Sequence, residues 1–115
     1  MPAERSNQAR QATAISAAIT SIHRASYQRE LSSVATVVGD ECVASVLRFE
    51  VEPAEQLVIE AGGDDAVMRL YDATEHSLEA SLRAAVERTT GRTVIAFQSS
   101  MNPRHGLIVE AFVLA

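Results

Sequence analysis

The chain has no lysine and no tryptophan, and aromatic residues occupy only 4% of its 115 positions. All ten basic residues are therefore arginines, and the fifteen acidic residues bring the net charge to −5. Binding to nucleic acid phosphates requires a basic patch, so this balance argues against a nucleic-acid partner. With so few aromatic side chains, the core must be built mainly from Ala, Val, Leu and Ile.

Cysteine and long apolar runs are also scarce. The single cysteine, Cys42, excludes an intrachain disulfide and is typical of a reducing compartment. No apolar run approaches the roughly 18 residues that a membrane-spanning helix needs, and the polar N-terminus lacks a signal-peptide core. We therefore expect a cytoplasmic protein without direct membrane insertion. Its length predicts one domain, over residues 8–115, after a disordered segment at 1–7.

The longest regular pattern covers residues 64–91. Apolar side chains and threonines recur there at steps of three or four, as one face of an α-helix requires: Val67, Leu70, Tyr71, Thr74, Leu78, Leu82, Ala85, Val86 and Thr89. Asp64 and Asp65 are typical of a helix N-terminus, and Gly91 is typical of its end. Such a helix is roughly 40 Å long, so the other elements must pack against it. Its opposite face alternates in charge and is expected to be solvated.

The remaining pattern predicts an α+β fold. An amphipathic helix at 8–25 precedes two β-branched runs, at 33–38 and 42–51, which a short link containing Gly39 joins as a hairpin. Pro53 begins a short helix that ends at Gly62, before the long helix. Two further strands, at 93–99 and 107–114, flank a turn-forming cluster. The order α-β-β-(α)-α-β-β predicts a four-stranded antiparallel sheet with both main helices on one face.

Three histidines are the first candidates for metal or acid–base chemistry. No two of His23, His76 and His105 stand at a metal-ligand spacing, and none adjoins Cys42 in sequence. We therefore expect ordinary surface or loop histidines, and no metal site, cofactor or catalytic residues. Glu110 lies between Val109 and Ala111 in an apolar strand. Alternation favours its solvent exposure, and a buried or interfacial carboxylate paired with an arginine is the alternative.

The last strand has two largely apolar faces. One carries the candidate interface residues Leu107, Val109, Ala111 and Val113, and the other carries Ile108, Phe112 and Leu114. An antiparallel strand of this kind indicates that the sheet side away from the helices is covered by another subunit. We expect a homodimer or higher oligomer.

The ordered motifs of the chain resemble a small bacterial family, the Na+-translocating membrane potential-generating system MpsC domain. The counterparts of the family pattern are the segments 51–55, 86–91 and 110–114, together with Arg69. The resemblance covers residues 14–114. It departs where family members often carry a Gly-Arg-Gly-Pro segment, since this chain has Tyr27-Gln28-Arg29-Glu30 and retains only the arginine.

The resemblance implies a non-enzymatic accessory or regulatory protein of a membrane ion or bicarbonate system, acting by protein–protein contact, with a membrane protein as partner. The family-matched polar residues Arg29, Glu55 and Arg69 are the candidate polar contact or anion site. The alternative for Arg69 is that it braces the long helix with a nearby carboxylate. The alternative function is an oligomeric scaffold or assembly module without a ligand.

Overall fold

The computed structural model describes residues 2–27 and 30–115, which form three α-helices and four strands. The elements in chain order are α1 (Pro2–Tyr27), β1 (Leu31–Val38), β2 (Cys42–Phe49), α2 (Pro53–Glu60), α3 (Asp64–Thr90), β3 (Val94–Asn102), a 3-10 turn (Pro103–His105) and β4 (Leu107–Leu114). The predicted α+β class and element order are confirmed. Within the described ranges, no helix combines the length and apolar character needed to cross a membrane.

The sheet is antiparallel throughout, with strand order β1-β2-β4-β3. Two hairpins therefore lie side by side, with β2 and β4 at the centre. The first hairpin closes where the Gly39 amide donates to the Cys42 carbonyl, at 2.8 Å. The second closes through the 3-10 turn and Gly106, whose φ of 60° is in the left-handed region.

Helix α3 is bounded as its end signals predict. It begins at Asp64 and ends at Gly91, which has φ 71° and donates its amide to the Glu87 carbonyl at 2.8 Å. Asp64 does not cap the helix with its side chain, because the N-cap position is Gly63. Its carboxylate instead accepts two hydrogen bonds from Arg104, at 2.7 and 3.0 Å, which tie the start of α3 to the turn before β4.

One face of the sheet packs against α1 and α3, and the other is open. On β2 the odd-numbered residues Val43, Leu47 and Phe49 are buried, as the alternation predicts. The helix stripes differ in part from prediction. Leu70 of α3 is 55% exposed. Glu75, which belongs to no predicted apolar set, is buried.

The first helix is longer than its apolar stripe. Residues 1–7 are predicted to be disordered, whereas α1 already begins at Pro2. Farther along α1, the buried face runs through Ile15, Ile19 and His23, four residues apart, and Ala25 is exposed. The buried face of α1 therefore includes His23, because this face meets both the sheet and α3.

Candidate functional site

Three titratable side chains from distant parts of the chain meet in the core. His23 of α1 is 1% exposed, Glu75 of α3 is 2% exposed and Glu110 of β4 is fully buried. We call these three residues the buried cluster. The expectation of surface histidines is wrong for His23, although His76 and His105 are exposed. The expectation that Glu110 faces solvent is also wrong, and its partner is a histidine rather than an arginine.

The imidazole of His23 contacts both carboxyl groups through one nitrogen atom. Its Nε2 atom is 3.1 Å from Glu110 Oε2, a hydrogen bond, and 3.7 Å from Glu75 Oε1. One ligand atom from each residue lies within 4.8 Å of the others. The cluster is therefore compact enough for its members to share a proton or a cation.

Local structure explains how each member reaches the interior. His23 follows Ile19 by one helical turn, and Glu75 lies four residues after Tyr71 and three before Leu78, on the buried face of α3. Glu110 lies between Ile108 and Phe112 in the alternation of β4, so it points towards the helices.

A row of polar residues crosses the helix-facing side of the sheet through Glu110. Its Cα partners are Ser45 on β2 and Ser99 on β3. The fully buried Ser45 shares a hydrogen bond of 2.8 Å with Thr36 of β1, and Thr36 shares one of 2.7 Å with Ser16 of α1. Same-face partners on adjacent strands have Cβ atoms about 5 Å apart, so the row continues from strand to strand. The buried cluster is thus part of a polar layer inside an otherwise apolar core.

Burial sets the protonation of the two carboxyl groups. Loss of solvation raises the pKa of Glu75 to about 9, with further upward contributions from the hydrogen bond and the charge of Glu110, while His23 opposes the shift. Burial also raises the pKa of Glu110, and its hydrogen bond with Glu75 partly offsets that rise. A neutral Glu75 beside an ionised Glu110 accounts for both directions.

Several oxygens of the buried cluster accept no hydrogen bond. Within the described ranges this holds for Glu75 Oε1, Glu75 Oε2 and Glu110 Oε1. A buried acceptor without a donor costs about 1–3 kcal/mol, so three of them in one place require an occupant or a proton. The proton on Glu75 meets part of this requirement.

The predicted polar-contact residues are described only in part. Arg29 lies outside the described residues. Glu55 accepts a hydrogen bond from the Glu52 amide at 3.2 Å, completing a capping box at the start of α2. Arg69 is exposed on α3 and forms no ion pair within the described part of the chain. The role proposed for these residues stays a prediction.

The candidate interface residues lie together on the open face of the sheet. Leu107 and Ala111 are half-buried, whereas Val109 and Val113 are 38% and 43% exposed. Val46 of β2 and Val37 of β1 extend the apolar surface, and Val37 is 71% exposed. We call these six residues the open-face patch.

Comparison with known proteins gives a family match. Residues 7–115 match the family model described as Na+-translocating membrane potential-generating system (MpsC). Neither the curated proteins nor the solved structures compared with the chain gave a match.

Proposed function

Because the chain belongs to the MpsC family, with a match over nearly its whole length, we propose that it is a non-enzymatic accessory or regulatory protein of a membrane ion or bicarbonate system. In this proposal it works on the cytoplasmic side and contacts a membrane protein. The family description points to a membrane potential-generating system that translocates Na+. The matched domain itself contributes a surface for docking rather than a path for ions.

The observation that carries the proposal is the open-face patch. Four valines with exposures from 37% to 71% lie on one side of the sheet, while the other side is covered by α1 and α3. Exposed apolar side chains on adjacent strands are typical of a protein–protein interface. The buried cluster supports a non-enzymatic role, because side chains that are 0–2% exposed do not touch a substrate in this conformation.

We propose that a second copy of the chain covers this patch in the isolated protein. The expected result is a particle of twice the 12.4 kDa chain mass at low micromolar concentration, measured by light scattering after size exclusion. Val109→Arg places a charge within the patch and is expected to give monomers, because an unpaired buried charge is costly at an interface.

Leu57→Arg is the matched control, since Leu57 is an equally apolar residue that is 68% exposed on α2, outside the sheet. It is expected to leave the dimer intact. A monomeric wild-type protein, or a dimer that survives Val109→Arg, would contradict the assignment of this face.

The docking role is tested with proteins extracted from the host membrane. The wild-type chain and both variants serve as bait on detergent-solubilised host membranes, followed by mass spectrometry. We expect a membrane protein to be retained by the wild type and by Leu57→Arg and lost with Val109→Arg. Equal retention by all three proteins would refute docking through the sheet.

The second candidate function is a scaffold without a ligand. It is favoured by the capping role of Glu55 at the start of α2 and by the solvent exposure of Arg69 on α3, since both positions are ordinary for charged residues of a helix. A thermal-shift series with bicarbonate, phosphate and nucleotides separates the two candidates, because a ligand that binds only the folded state raises the melting temperature. A reproducible shift favours a sensor, and no shift favours the scaffold.

A further inference from the structure

We propose that His23, Glu75 and Glu110 form a binding site for one divalent transition-metal ion, with Zn²⁺ as the best-fitting ion. This inference goes beyond the accessory role and does not depend on it. It concerns the interior of the domain, whereas the docking proposal concerns its open surface.

The donor set is the first argument. One imidazole nitrogen and two carboxylates are a ligand combination that Zn²⁺ accepts, as in catalytic sites with mixed histidine and glutamate ligands. Mg²⁺ and Ca²⁺ prefer oxygen ligands alone.

The spacing of the ligand atoms is the second argument. A tetrahedral zinc site with bonds of about 2.0–2.2 Å has neighbouring ligand atoms about 3.4 Å apart. The two distances from His23 Nε2 to the carboxylate oxygens of Glu110 and Glu75, 3.1 and 3.7 Å, lie on either side of that value. The third pair, one oxygen from each carboxylate, lies within 4.8 Å and must close further to reach this spacing.

The third argument is the combination of charge and unpartnered atoms. Three carboxylate oxygens of the cluster lack a hydrogen-bond donor among the described residues, in side chains that are 0–2% exposed. A divalent ion neutralises two carboxylates and supplies the missing positive partner. Without a cation the two carboxylates cannot both be ionised at low cost, because the interior solvates neither charge.

The site is built by the fold and not by a single element. Its ligands come from α1, α3 and β4, so the bound ion joins both main helices to the central strand. Ser45 and Ser99 flank Glu110 on the neighbouring strands. Because the ligands are buried, the ion is expected to enter as the chain folds or opens rather than by diffusion into the closed domain.

The experiment is refolding with and without metal. Protein carrying Cys42→Ser, which removes an exposed thiol as a competing zinc ligand, is unfolded with chelator. It is then refolded with Zn²⁺, Mn²⁺, Mg²⁺ or Na⁺ alone and dialysed. We expect one zinc per chain by elemental analysis and a higher melting temperature with Zn²⁺ than with Mg²⁺ or Na⁺. Zinc at well below one per chain, or the same melting temperature with all four ions, would overturn the proposal.

Variants locate the ion. Glu110→Gln and His23→Gln preserve much of the side-chain volume and are expected to lower zinc affinity by at least about 100-fold, since even the loss of a residue behind a ligand costs 10–100-fold. His76→Gln, an exposed histidine next to Glu75 in sequence, is the matched control and should retain affinity. Unchanged affinity in Glu110→Gln would refute the site, as would loss of affinity in the control.

X-ray absorption spectroscopy at the zinc edge identifies the ligand atoms in the protein that carries only Cys42→Ser. This measurement does not depend on how the other variants fold. The expected ligand shell contains one imidazole and oxygen atoms. A shell with two imidazoles, or one of oxygen alone, would contradict the assignment.

Discussion

Glu75→Gln is expected to remove a large part of the pH dependence of stability that the metal-free protein shows between about pH 4.5 and 9. Burial raises the pKa of Glu75 to about 9 in the folded state, from its ordinary value of 4.5. The folded state therefore binds a proton that the unfolded state releases. The stabilisation from this proton is complete below about pH 4.5 and is lost as the pH rises towards 9.

The effect is large for a domain of this size. Each pKa unit corresponds to about 1.4 kcal/mol, so the metal-free wild type should lose about 3–6 kcal/mol of unfolding free energy across this range. Total stabilities are commonly about 5–15 kcal/mol, which makes such a loss decisive. A glutamine remains neutral, so Glu75→Gln should be the more stable protein at the alkaline end.

The measurement is urea unfolding in chelator at a series of pH values. Glu79→Gln is the control, because Glu79 lies one turn further along α3, is half-exposed and pairs with Arg83 at 2.8 Å. Distant titrating groups are common to wild type and variant, so the difference between their curves reports on Glu75 and on its coupling to Glu110 and His23. Parallel curves for wild type and Glu75→Gln would contradict the buried, neutral Glu75.

Gly106→Ala is expected to cost about 2–4 kcal/mol, several times the effect of the same change at Gly91. Both glycines have positive φ, 60° and 71°, and an alanine there costs about 1 kcal/mol through its backbone. A Cβ at Gly106 would also lie 2.1 Å from the Phe49 carbonyl oxygen, whereas one at Gly91 meets nothing within 4 Å. Relief of that overlap adds about 1–3 kcal/mol.

The Gly106 contact matters for the site because it sets how β4 enters the sheet. The Phe49 amide donates to the Gly106 carbonyl at 3.0 Å, immediately before β4 begins at Leu107. The following register places Glu110 opposite Ser45. Urea unfolding of both variants is the measurement. Equal losses in Gly106→Ala and Gly91→Ala would show that the close backbone approach is not important.

The predictable parts of the fold are those with local causes. The start of α3 at Asp64, its end before Gly91 and the bounds of β4 follow from end signals and from a continuous apolar run. The face of β4 that meets the helices was not determined in the same way, because both of its alternating sets are largely apolar. The sequence therefore marks Glu110 as unusual but does not determine which side of the sheet its side chain occupies.

The buried cluster depends on tertiary structure, so no local sequence pattern predicts it. His23 competes with Ile22 and Ala25 for the inner face of α1, and only packing against α3 decides which of them is buried. Glu75 lies at helical spacing from Tyr71 and Leu78 but is not part of the predicted stripe, because an isolated carboxylate on a helix is normally solvated. The signal available in sequence was the spacing of each residue from buried neighbours. Their meeting required the strand order and the placement of both helices.

The polar layer gives a physical reason for the arrangement of this thin core. Buried ionisable groups cost stability unless they are paired, so the position of Glu110 between two helices favours one arrangement in which His23 and Glu75 both reach it. This would explain why a domain with few aromatic side chains places three titratable residues at its centre.

The protonation of the Glu75 side chain is tested most directly by its own titration. Carbon-13 NMR of the carboxyl groups in metal-free protein, with Glu75→Gln used to assign the resonance, follows its protonation as the pH is raised. We expect Glu75 to stay protonated through neutral pH and to titrate with a pKa of about 9. A titration near the ordinary value of 4.5 would contradict the buried cluster.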